Sequence, residues 1–229
     1  LVRPLRADGG ILSQMQTDLG LDPVVDGTFS APMEPGRYFL VAHAKDRGVS
    51  DLVPVTVEAG QTVRAAFFLS SPGDIEYVVR DDGGLPVPAR LSFIALGPDG
   101  KPLPWDGSNY PELGDSRWDG GVVAQEVSAL GFGVVRMRPG RYQVIASRGP
   151  EYSLATIDDF EVVSSERRPL QATLVREVDT TGYISADFHV HAQYSVDSGL
   201  NVFTRARSAA AEGLDFFTAS DHDTVTSYT

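Results

Sequence analysis

Along most of the chain, apolar and polar residues alternate with a period of two, and the short runs of this kind are separated by Gly, Pro and Asp. In the run 139–146, Pro-Gly is followed by Tyr142 and Val144, which alternate with Arg141 and Gln143. Pro-Gly favours a turn, and such alternation is typical of a strand with one buried face. The pattern therefore predicts a mainly β chain of short antiparallel strands.

An internal repeat organises these strands. The sequence PGRY at 35–38 recurs at 139–142, and each copy is followed by two further strand-like runs. These runs are 51–58 and 62–69 after the first copy, and 156–163 and 169–175 after the second. The repeat indicates two similar β modules, each interpreted as an antiparallel meander.

The second module opens with two strand-like runs, 73–80 and 87–94, on either side of the Gly-rich turn 81–84. Prolines at the start of the second run suit the edge of a sheet. The segment resembles the carboxypeptidase-regulatory-like β-sandwich, in which a strand, a turn of the form D-x-x-G-x-P-V-P-A and a second strand recur. We therefore expect sandwich modules at 1–70 and 71–178, the first of them clipped at its N-terminus.

The stretch 97–121 interrupts the second module and is rich in Gly, Pro and Asp, with Trp105, Tyr110 and Trp118 among them. Aromatic rings stack on sugars and carboxylates bind calcium, so a carbohydrate or Ca²⁺ loop is one interpretation, although the spacing matches no EF-hand. The interpretation we favour is a long hairpin insertion whose aromatic rings pack back on the sandwich. His43, a lone histidine in a strand-like run, is predicted to be structural.

The pattern changes after residue 180. The run 183–192 is strand-like, 201–212 has apolar residues at helical spacing and ends at Gly213, and 214–219 is a second apolar run. A strand, a helix and a strand within about 40 residues form a βαβ unit with parallel strands and a right-handed crossover. We therefore expect an α/β domain to begin at residue 179.

The composition limits the classes of partner and metal site that the chain can have. With 31 acidic and 19 basic residues, the net charge of −12 opposes binding to nucleic acid and to anionic membranes. No apolar run approaches the roughly 18 residues needed to span a bilayer. The chain has no cysteine, so any metal must be bound by His and carboxylates. A cysteine-free chain of sandwich modules suits the periplasm or the cell exterior, and a cytoplasmic location stays open.

Four side chains near the end of the sequence form a candidate metal site. His189 and His191 lie two apart on a predicted strand and so project from the same face. His191 and His222 lie where the two predicted parallel strands end, and functional groups gather at such ends in α/β folds. Asp197, in the loop after the first strand, can fold back as an anionic ligand, and this N and O set suits Zn²⁺, Mn²⁺ or Fe.

These residues resemble the PHP (polymerase and histidinol phosphatase) superfamily. Its first motif, D-x-H-x-H followed by S-x-D, matches residues 187–191 and 195–197, and its second, [TS]-D-H-[DNG], matches 220–223. The sandwich modules ahead of the first motif, with residues 147–153 and 179–183, further resemble the CehA/McbA-type metallohydrolases within that superfamily.

The resemblance implies a fold, a ligand set and a reaction. It implies metal ligands at His189, His191, Asp197 and His222, and metal-surrounding groups that orient imidazoles or shape the rim at Asp187, Asp221 and Asp223. It implies a distorted (β/α)7 barrel holding up to three divalent metals, of which this chain contains the first βαβ unit. The reaction implied is hydrolysis of a small-molecule phosphate ester, or a related carbamate or carboxylic ester, by a metal-activated water.

The family completes its site with a Glu, further His and a late Asp-x-His, which have no counterpart before Thr229. We therefore expect the chain to be a truncated piece of a parent enzyme, inactive alone, and Leu1 in place of Met indicates that an upstream segment is also missing. The alternative is a non-catalytic sandwich protein that contacts a surface, a glycan or another subunit and carries an incomplete metal domain.

Overall fold

The computed structural model describes residues 2–6, 28–44, 48–51, 53–102 and 122–228. The elements in chain order are β1 (Val2–Arg6), β2 (Gly36–Ala44), β3 (Gly48–Val49), β4 (Val53–Val57), β5 (Gly73–Asp81), β6 (Ala89–Leu96), β7 (Val122–Ser128), β8 (Phe132–Met137), β9 (Gly140–Ser147), β10 (Ala155–Val162), β11 (Arg167–Leu174), β12 (Ala186–Val190), α1 (Val202–Ala211) and β13 (Phe216–Ala219). The described chain is thus mostly β, as the alternating pattern predicts.

The repeated PGRY sequence begins an equivalent strand in each module, β2 in the first and β9 in the second. In both copies the buried tyrosine donates a hydrogen bond from its hydroxyl to the carbonyl four residues earlier: Tyr38 to Glu34 at 3.0 Å and Tyr142 to Arg138 at 2.8 Å. The ring also covers the glycine two residues before it, since a Cβ added at Gly36 would lie 3.2 Å from the Tyr38 ring. The repeat is therefore one local structure used twice.

The first module is a sheet in which β2 pairs antiparallel with β1, β3 and β4. The predicted strand 62–69 pairs with no strand among the described residues. Its alternate side chains nevertheless face the core, where Phe67 packs with its ring centroid 5.6 Å from that of Phe29. The alternation correctly indicated which side chains face the core, but a period of two does not indicate which strand the backbone pairs with.

The second module is a sandwich of two sheets, ordered β10-β9-β6-β7 and β11-β5-β8. Side chains from both sheets share one core, in which Phe93, Ile75 and Leu174 are fully buried. The meander predicted for the repeat stops after β10, because β11 pairs parallel with β5 in the opposite sheet. The runs around the turn 81–84 likewise belong to different sheets, so the turn joins the two layers.

The C-terminal unit consists of β12, α1 and β13, with the two strands parallel. Asn201 begins the helix by accepting a hydrogen bond from the Phe203 amide at 2.9 Å, and Gly213, at a φ of +75°, ends it. The strands are shorter than the predicted runs 183–192 and 214–219. The pair is one βαβ unit, and the (β/α)7 barrel stays a prediction.

Each sheet of the described residues lies within one of the predicted ranges 1–70, 71–178 and 179–229, and the exact boundaries stay predictions. The stretch 103–121, which holds most of the predicted carbohydrate, Ca²⁺ or hairpin insertion, lies outside the described residues. The side chain of His43 also lies outside the described part of the structure, so its structural role stays a prediction. Within the part of the chain that is described, no helix is both long and apolar enough to cross a membrane.

Candidate metal centre

The loops after the two parallel strands bring three of the predicted ligands together. His191 directly follows β12, Asp197 lies in the loop beyond it, and His222 follows β13. One potential ligand atom from each of the three lies within 4.8 Å of the others, the one such group found among the described residues. The parallel pairing explains this, because it places the carboxyl ends of both strands at one edge.

Asp197 lies between the two imidazoles. His191 Nδ1 is 2.9 Å from both carboxylate oxygens of Asp197, and His222 Nε2 is 3.3 Å from Oδ2. A hydrogen bond from the Ser195 hydroxyl, followed by the one from His191, holds the pKa of Asp197 well below its usual range. The carboxylate is therefore ionised at neutral pH, and about half of its side chain is exposed to solvent.

The residues fit a divalent cation by two criteria. His191 Nε2 is buried and has no hydrogen-bond partner in the described structure, an unsatisfied atom that a bound ion would explain. Ligand atoms around a tetrahedral ion with bonds of about 2.1 Å are separated by roughly 3.4 Å. The separation of 3.3 Å between His222 Nε2 and Asp197 Oδ2 is near this value. The contact of 2.9 Å joins Asp197 to His191 Nδ1, so it orients the imidazole whose unpartnered Nε2 would bind the ion.

His189, the fourth predicted ligand, lies beside this group and not in it. Its ring centroid is 4.8 Å from that of His191, but the residue is exposed and its nitrogens are not among the converging atoms. The same-face prediction for the two histidines agrees with this close approach of the rings. A role for His189 in binding a metal stays a prediction.

The structure gives hydrogen-bond partners for two of the three aspartates that were predicted to surround the metal. Asp221 accepts a hydrogen bond from the Ala192 amide at 2.6 Å and another from the Thr226 hydroxyl, and these bonds lower its pKa. Asp187 accepts one from the His189 amide at 2.9 Å. Asp223 adopts a left-handed conformation with φ of 56° just after His222. Asp221 thus joins the loops that follow the two strands.

Two functional candidates were not assigned from the sequence. Ser195 is 5% exposed, and its hydroxyl donates to Asp197 Oδ1 at 2.6 Å and accepts from the His222 amide at 3.1 Å. Arg205 donates from Nε to the His191 carbonyl at 2.8 Å. Ser195 is part of the S-x-D motif. Arg205 lies three positions after Val202, so it is a charged residue on the apolar stripe of α1, and this exception to the pattern could have identified it from the sequence.

No family model matches the chain, and no curated protein matches it. Among solved structures, 3-chlorocatechol 1,2-dioxygenase from Rhodococcus opacus 1CP is 12% identical, with a TM-score of 0.31 over 47% of this chain and 60% of that one. A streptococcal ancillary pilin is 11% identical, with a TM-score of 0.34 over 63% of this chain and 46% of that one. The shaft pilin SpaA from Lactobacillus rhamnosus GG is 12% identical, with a TM-score of 0.32 over 68% of each chain.

The chain therefore spans less than two thirds of the first two of these proteins. At such TM-scores the similarities indicate neither a family nor a function.

Proposed function

We propose that this chain provides a divalent-metal site of a hydrolase that acts on small-molecule phosphate esters, or on related carbamate or carboxylic esters. The observation that carries the proposal is the convergence of His191, Asp197 and His222 at the carboxyl ends of two parallel strands. Three protein ligands with further coordination positions open are typical of catalytic metal sites, whereas structural sites are closed by four. The PHP-like motifs on the same residues support the same reaction class.

The side chains of this chain would hold the ion and leave it accessible. Asp197 supplies the negative charge, and two imidazoles supply neutral donors suited to Zn²⁺, Mn²⁺ or Fe. His222 and Asp197 are about half exposed, so water and a small substrate can reach them. The chemistry that such a cation supplies, when bound, is Lewis-acid activation of water and of an ester oxygen.

Hydrolysis in the presence of added metal tests this proposal. p-Nitrophenyl phosphate and p-nitrophenyl acetate would be assayed with Zn²⁺ or Mn²⁺, on this chain and on the longest natural form of the protein. We expect the longest form to hydrolyse at least one ester and to lose that activity with EDTA and with Asp197→Ala. Asp158→Ala, which removes an exposed carboxylate on β10, is the control. Bound metal without hydrolysis of either ester would contradict the hydrolase proposal.

The second candidate is a non-catalytic sandwich scaffold that contacts a surface, a glycan or another subunit. An exposed apolar strip favours it: Phe132 and Val134, on the edge strand β8, are 53% and 47% exposed. A periplasmic or extracellular location would suit this role. A scaffold would show no metal-dependent hydrolysis in the assay above.

A further inference from the structure

Helix α1 holds the loop from which two of the candidate ligands project. Arg205, on this helix, donates from Nε to the His191 carbonyl at 2.8 Å, and its Nη2 lies 3.4 Å from Ser198 Oγ. The segment between His191 and Ser198 carries Asp197. A displacement of the helix would therefore displace the backbone of the site.

The same helix is attached to the second sandwich along its length. Arg207 Nη2 donates to Glu126 Oε1 at 3.0 Å and to the Val127 carbonyl, both on β7. Just beyond the helix, Glu212 forms an ion pair with Arg90 of β6. The sandwich thus contacts α1 at both its middle and its C-terminal end.

Arg148 connects the two units through backbone atoms. Its Nη1 donates to the carbonyl of Pro88, in the sandwich, at 2.9 Å and to that of Ala210, in the last turn of α1, at 3.0 Å. The guanidinium lies 5.4 Å from the centre of the Tyr152 ring, and a cation at the C-terminal end of a helix is stabilised by the helix dipole. Both acceptors are backbone carbonyls, so their positions are fixed by the two units and do not depend on side-chain rotamers.

The glycine after Arg148 shows how closely the units pack. A Cβ added at Gly149 would lie 2.2 Å from the Glu212 carbonyl oxygen, and φ there is +61°. Only glycine fits this approach without moving the backbone.

We propose that Arg148 is a positioning residue for the metal centre, and that the second sandwich fixes the geometry of His191 and Asp197 through Arg148, α1 and Arg205. The inference rests on the proposed metal site and adds a role that the site residues alone do not give. It makes the sandwich and the metal unit one functional body, so a change in the sandwich alters metal affinity at a distance.

The test compares Arg148→Gln with Arg141→Gln, measuring Mn²⁺ affinity by calorimetry and hydrogen exchange of the α1 amides. Arg141 lies in β9, the strand that ends just before Arg148, and its guanidinium pairs with exposed Asp159 on β10, away from α1, which makes it the matched control. Loss of a group bonded directly to a metal ligand costs about 10–100-fold in affinity. Arg148 acts through α1 and Arg205, so we expect Arg148→Gln to weaken Mn²⁺ binding by less than this, about threefold to tenfold. Exchange in α1 should speed up while that in β5 and β6 stays slow, and Arg141→Gln should change neither.

If Arg148→Gln does not fold, Arg148→Lys, which keeps the positive charge and removes the guanidinium, tests the same contacts with the same two measurements. Unchanged affinity and unchanged α1 exchange in the variant would overturn the inference. If the unsubstituted protein binds no Mn²⁺, the proposed metal site fails, and the α1 exchange alone then decides whether Arg148 positions the helix.

Discussion

Replacing Ser195 by Ala removes the hydroxyl that joins the two loops of the candidate site. The buried hydroxyl accepts from the His222 amide at 3.1 Å and donates to Asp197 at 2.6 Å. Without it the His222 amide loses its acceptor; this would cost about 1–3 kcal/mol for a fully buried group, and the contact is partly buried, so the cost lies in the lower part of that range. Water can take the place of the hydroxyl at the exposed carboxylate, so the loss there is small. We expect the opening free energy of the loops to fall by about 1–2 kcal/mol.

Native-state hydrogen exchange of the amides in 190–198 and 219–223 measures this opening. Calorimetry with Mn²⁺ measures the consequence, a loss of about tenfold in affinity as the ligands lose their alignment. Tyr194→Phe is the control from the same loop, because it removes a hydroxyl from an exposed side chain. If Ser195→Ala behaves like Tyr194→Phe in both measurements, the bridging role assigned to Ser195 is wrong.

Two further predictions concern the sandwich modules. Tyr38→Phe and Tyr142→Phe each remove the same hydroxyl-to-carbonyl bond, so each should lower the stability of its module by about 1 kcal/mol in chemical denaturation, and a loss in one module alone would show that the repeat is not structurally equivalent. Desolvation raises the pKa of Asp74, but the hydrogen bonds and charges of Arg136 and Arg167 together lower it by more. The net pKa is therefore below the usual range. Stability from this carboxylate is therefore complete above the ordinary Asp pKa of about 3.9 and lost as the pH falls through the folded value. The denaturation midpoint should therefore fall at acid pH. Asp74→Asn should reduce this fall, whereas Asp82→Asn, in an exposed turn, should keep it. An equal fall in the two variants would contradict the assignment.

The elements that local sequence determines were predicted closely. The helix predicted at 201–212 occupies Val202–Ala211, because Asn201 and Gly213 act as start and stop signals within the segment itself. The strand predicted from the PGRY repeat is likewise present in both copies. The sheet partners were not predicted, since the parallel pairing of β11 with β5 joins residues that lie far apart in the sequence. The run 62–69 shows the same limit, as its burial follows the pattern and its predicted pairing is absent from the described structure.

The candidate site, like the fold, was predicted from the sequence only in part. The spacing of His191, Asp197 and His222 relative to two predicted strand ends was sufficient to expect their convergence. The positions of Ser195 and Arg205 were not predictable, because their roles depend on which backbone groups the folded loops bring within reach. The attachment of α1 to the sandwich through Arg148 is also a property of the packed units and of neither segment alone.

Calorimetric titration with Mn²⁺ or Zn²⁺ tests the central claim most directly. His191, Asp197 and His222 as a cation site predict saturable binding by the unsubstituted chain and a loss of about tenfold or more in affinity with Asp197→Ala or His222→Ala, while Asp158→Ala binds normally. An unsubstituted chain that binds neither ion, or an Asp197→Ala variant that binds with unchanged affinity, would contradict it.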